Sequence, residues 1–261
     1  MVPSYRHFLV PRSRSYRPSF ERVAALVERL RAERFLLTRD DPAFEQQLDY
    51  VLQGAHTQTG GFARVAMENP TTGRVPPMAD IAIPIPTPLT ATWLRQHVDS
   101  ESADARFAEI ALVFPLAIRD GGFAKLGLPY PFTFGENEST YHAIEIHLAR
   151  ELVHRRLGDV EPIETMCHCG AELGWDPRAD DPYPGETLLA IESATRIDHV
   201  CPACGATFEP SGVAAYRFAI VIDCGKGWPR ERAPITLRPE FRALCEEMTD
   251  TDLDDTGELS V

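Results

Sequence analysis

Four cysteines in two short clusters dictate more about this chain than any other residues in it. The first cluster reads Cys167-His168-Cys169-Gly170, the second Cys201-Pro202-Ala203-Cys204-Gly205, and 31 residues separate them. Zinc takes four soft or borderline ligands in a tetrahedron, and thiolates are its usual structural donors. A Cys-x-x-Cys-Gly turn aims two sulfurs at one spot. Its glycine accepts a positive φ that turns backbone amides toward them. The chain opens without an apolar stretch followed by a small-residue cleavage site, so export is not expected. In a reducing compartment, paired cysteines favour metal over disulfides. The expectation is one structural Zn2+ on Cys167, Cys169, Cys201 and Cys204. Four protein ligands close the shell and leave no position for water or substrate, so the metal would fold the segment and not catalyse. His168 or His199 replacing one cysteine is an alternative. A redox pair at Cys201 and Cys204 is another, but such a pair opens a helix after a strand. Gly205-Ala206-Thr207 instead leads into Phe208-Glu209-Pro210.

The second cluster resembles the knuckle of a zinc ribbon. The first is one residue shorter and keeps the glycine. The resemblance covers about residues 165–208 and implies a metal-folded β element, with no activity attached. Strand-like runs at 188–191 and 195–200 would form the hairpin that brings the two knuckles together. The other two cysteines, Cys224 and Cys245, stand alone and read as small buried apolar residues.

Charge narrows the partners. The chain carries a formal net charge of -13, which on average repels nucleic acid and anionic membranes. It has no apolar run of about 18 residues that could cross a bilayer. A cytoplasmic protein is expected, and the near-exclusive use of arginine over lysine suggests a GC-rich bacterial genome. The distribution is uneven. Residues 1–40 hold nine arginines against Glu21, Glu28, Glu33 and Asp40, whereas the stretch from Glu246 to Glu258 has seven acidic residues and no basic one. The N-terminal arginines Arg6, Arg12, Arg14 and Arg17 either contact a nucleic acid or pair with the acidic remainder of the chain.

Hydrophobic periodicity predicts a strand over 5–10 and a helix over 20–37. Ser19 caps that helix, and Val23, Leu26, Val27 and Leu30 share one face. A second helix is expected from Asp40 or Asp41 to about Leu52. Residues 53–90 are rich in loops, with an edge strand near 81–85. A helical turn over 90–98 follows, then an apolar strand or buried helix over 107–118. Residues 139–157 read as a helix, since Ile144, Leu148, Leu152 and Val153 share a face, although their first half also alternates as a strand does. A strand over 214–223, a short helix over 239–248 and a frayed acidic tail close the chain. Both 5–10 and 216–221 open with Tyr-Arg, which suits terminal segments that pair in one sheet. The fold class is α+β, with a mixed sheet, flanking helices and an embedded zinc-ribbon-like subdomain. The domain division is 1–160 and 161–261, the second packing with the N-terminal strand.

Catalytic signals are sparse. Asp223, Cys224 and Lys226 sit where a strong strand meets a glycine-bearing loop, so Cys224 could be a nucleophile whose pKa Lys226 lowers. Glu151 and His154 have a spacing used by carboxylate-bridged metal pairs, but no second such motif exists, and His142, Glu145, His147, Glu151 and His154 read as solvated helix surface. No Gly-x-Ser-x-Gly elbow, dinucleotide fingerprint or P-loop occurs. The expected function is a binding protein for a basic protein partner, of the immunity or assembly-subunit type. An enzyme using Asp223, Cys224 and Lys226 is the alternative. A nucleic-acid-associated ribbon is a third, opposed by the acidic composition of the ribbon itself.

Overall fold

The structure is a computed structural model. It describes residues 4–13, 16–46, 60–67, 79–98, 107–116, 118, 122–133, 143–156, 169, 199–200, 203–205, 207–208, 213–226 and 236–260. Among these, seven strands form one sheet: β1 (Ser4–Pro11), β2 (Phe62–Met67), β3 (Ala79–Pro84), β4 (Phe107–Pro115), β5 (Ala143–Arg156), β8 (Val213–Lys226) and β9 (Leu253–Ser260). Their spatial order is β3-β2-β4-β5-β8-β1-β9. A separate hairpin pairs β6 (His199–Val200) with β7 (Thr207–Phe208). The helices are α1 (Phe20–Ala32), α2 (Ala91–Val98), the single turn α3 (Gly122–Lys125) and α4 (Pro239–Thr249). The class is α+β, as expected. The sheet was expected to be mixed, and every described pairing in it is antiparallel. It draws strands from both sides of residue 160, because β5 pairs with β8 and β1 lies between β8 and β9.

One face of the sheet packs against the helices. Leu9, Leu112, Phe114, Ile144, Ile146, Phe218 and Ile220 meet Val23, Leu26, Leu30, Leu94 and Phe241 in one cluster. Ser19 caps α1, its hydroxyl accepting from the Arg22 amide at 3.3 Å. The helix stops at Ala32, short of the expected residue 37, because Arg34 takes a left-handed conformation at φ 62. The amides of Phe35 and Leu36 then fold back onto the Leu30 carbonyl. Arg34 is fixed there by a bidentate bond to Asp41, at 2.9 and 3.1 Å. The second expected helix is one 3-10 turn, Phe44–Gln46, in the described residues; its continuation lies outside them. β3 is an edge strand ending at Pro84, and α2 fills the expected helical turn.

Two expectations are corrected. Residues 143–156 form the central strand, not a helix. The alternation Ala143, Ile144, Glu145, Ile146, His147, Leu148, Ala149 has period two, and both sets of side chains are buried, which erases the polar-outside signature a surface element would show. The acidic tail is also a strand, not frayed. Leu253 plugs the core at zero exposure. The Glu246 carboxylate accepts from the Leu253 amide at 3.1 Å and from Arg242 Nε at 3.0 Å. Asp250 turns the chain in a left-handed conformation between α4 and β9. No helix among the described residues is long and apolar enough to cross a membrane.

Candidate functional site

The second face of the sheet holds a buried polar cluster. Strand alternation places Ala143, Glu145 and His147 of β5 on this face, opposite Ile144 and Ile146. In register, Glu145 lies between Val113 of β4 and Val221 of β8, and His147 lies between Ala111 and Ala219. Arg64 is the β2 partner of Ala111, and Arg6 is the β1 partner of Asp223. The two arginines therefore start two strand spacings, roughly 10 Å, to either side of β5. Small residues at 111, 143 and 219 leave room for long side chains to lie across the sheet.

Both arginines reach the same carboxylate. Arg6 Nη2 donates to Glu145 Oε2 at 3.0 Å, and Arg64 Nη2 donates to Oε1 at 2.7 Å. His147 Nε2 lies 2.7 Å from Oε2, so this nitrogen carries its proton toward the carboxylate. His147 Nδ1 lies 3.2 Å from the Tyr216 hydroxyl. Each guanidinium also rests over a phenylalanine of its own strand, Arg6 at 5.4 Å from Phe8 and Arg64 at 5.9 Å from Phe62. Burial alone would raise the Glu145 pKa. The His147 hydrogen bond and the charges of Arg6, His147 and Arg64 outweigh it and hold the carboxyl well below the usual range. Tyr216, His147 and Glu145 form a hydrogen-bonded row with a fixed imidazole, and all three are buried. The row gives a reacting molecule no exposed atom. Its evident work is to tie β1, β2, β5 and β8 together. Sequence reasoning missed this cluster by assigning Glu145 and His147 to a solvated helix. The signal that could have found it is polar residues at every second position of an otherwise apolar run. Arg150, Glu151 and His154 fall on β5, and His142 lies outside the described residues.

Of the four expected metal ligands, Cys169 and Cys204 are described and both are exposed, while Cys167 and Cys201 lie outside the described residues, as does His168. A hairpin other than the expected pairing of 188–191 with 195–200 flanks the second cluster. β6 and β7 pair antiparallel, His199 with Phe208 and Val200 with Thr207, so the hairpin brackets residues 201–206. Gly205 within it has φ +69, the conformation a knuckle glycine supplies. Among the described residues, no group of three or more His, Cys, Asp or Glu side chains could hold a metal ion. His199 belongs to β6 and precedes the turn. The expected strand at 188–191 lies outside the described residues.

Two members of the alternative catalytic trio, Asp223 and Cys224, take opposite faces of β8. Cys224 lies within β8, on the helix-covered face and at zero exposure, and burial followed by the Asp223 charge pushes its thiol well up. That setting keeps the proton on sulfur, the opposite of what a nucleophile needs. Asp223 points to the other face by alternation and is half-buried. Lys226 ends the strand. Cys245 of α4 is equally buried, its thiol raised by burial.

The third notable region is the acidic margin along α4 and β9. Arg12 bonds Asp254 at 3.0 Å and Asp252 at 3.2 Å. Arg22 bonds Asp250 at 2.8 Å, and Arg242 bonds Asp255 at 3.1 Å. The His7 ring lies 3.5 Å from Asp255, whose carboxyl is held down first by His7 and also by Arg242. N-terminal arginines thus meet the acidic remainder of the chain. No family model, no curated protein and no solved structure matches this chain.

Proposed function

We propose that this is a zinc-ribbon-bearing interaction protein whose acidic surface engages a basic protein partner. The observation that carries this reading is the internal use of the arginines. Arg6, Arg12, Arg22, Arg31 and Arg34 are each bonded to a carboxylate of the same chain. Those charges are taken up within the fold, which leaves the net charge of -13 to face outward. An acidic field of that size favours encounter with a basic surface and disfavours nucleic acid. Zinc on Cys167, Cys169, Cys201 and Cys204 would shape the ribbon as a rigid projection and supply no chemistry. The buried positions of Cys224, Glu145, His147 and Tyr216 support a binding role over an enzymatic one.

Native mass spectrometry of the protein isolated from its own cells tests this. One zinc per chain and a stoichiometric basic subunit are expected. A zinc-bearing monomer that no basic protein joins would end the partner reading, and a chain isolated intact without metal would end the zinc reading.

A further inference from the structure

We draw no further inference here: the strongest candidate, the pair of part-exposed guanidiniums of Arg6 and Arg64 on the second face of the sheet as a seat for a small anion, is already turned onto the Glu145 carboxylate and belongs to the buried cluster already described.

Discussion

Glu145 is the side chain on which the second face of the sheet depends. It is a carboxylate with almost no contact with water, held by two guanidiniums and an imidazole. Glu145→Gln keeps the shape and removes the charge, leaving Arg6 and Arg64 directed at a neutral amide. Breaking a buried ion pair on one side costs about 3–5 kcal/mol, and urea unfolding should show a loss of that order. Tyr216→Phe deletes one hydrogen bond to the same row and should cost about 1 kcal/mol. The two together should fall short of additivity, since they share His147. Acid should act through Glu145 as well. Its pKa is lowered in the folded protein from an ordinary value of 4.5, so the unfolded chain takes up the proton first as pH falls. The stabilisation is complete above that value and drains as the solution becomes more acidic. Unfolding midpoints followed from neutral pH downward should fall, and Glu145→Gln should flatten that decline. An equally steep decline in the variant would place the acid sensitivity elsewhere.

At the level of elements, α1 and α4 were legible because each shows a helical period and a clear start: Ser19 for α1, Pro239 for α4. Ser19→Ala should cost α1 about 1 kcal/mol, measured by thermal unfolding. β8 was legible as a dense β-branched run, and β3 as an edge strand through its proline. β5 was misread because one pattern served two periods. Ile144, Leu148, Leu152 and Val153 suit a helix face, while Ile144, Ile146 and Leu148 suit a strand, and the burial of Glu145 and His147 decides for the strand only once Arg6 and Arg64 arrive from distant parts of the chain. β9 was misread for a similar reason. Seven acidic residues in a short stretch look too polar to order, and the cations that order it, Arg12 and Arg22, come from the opposite end of the sequence. The positive φ of Gly205 was legible because its requirement is local: a glycine directly after a cysteine turn.

For the molecule as a whole, the β6–β7 hairpin and the seven-stranded sheet are separate in strand pairing among the described residues, and the sheet has its own helix-covered core. Chelation of the proposed zinc should therefore release the region around 165–208 and leave the sheet folded. Hydrogen exchange with and without chelator should show new exchange at β6 and β7 and little change at β5 and β8; collective loss of both would mean that the ribbon and sheet are one cooperative unit. The position of β1 has a different consequence. It is flanked by β8 and β9, yet about 200 residues of chain separate it from β8, a span that makes its closure entropically slow. During translation β1 leaves the ribosome long before either of its partners has been made. A nascent chain thus carries a sticky ribbon of Phe8, Leu9 and Val10 with nothing beside it, and a holding chaperone has its natural target there.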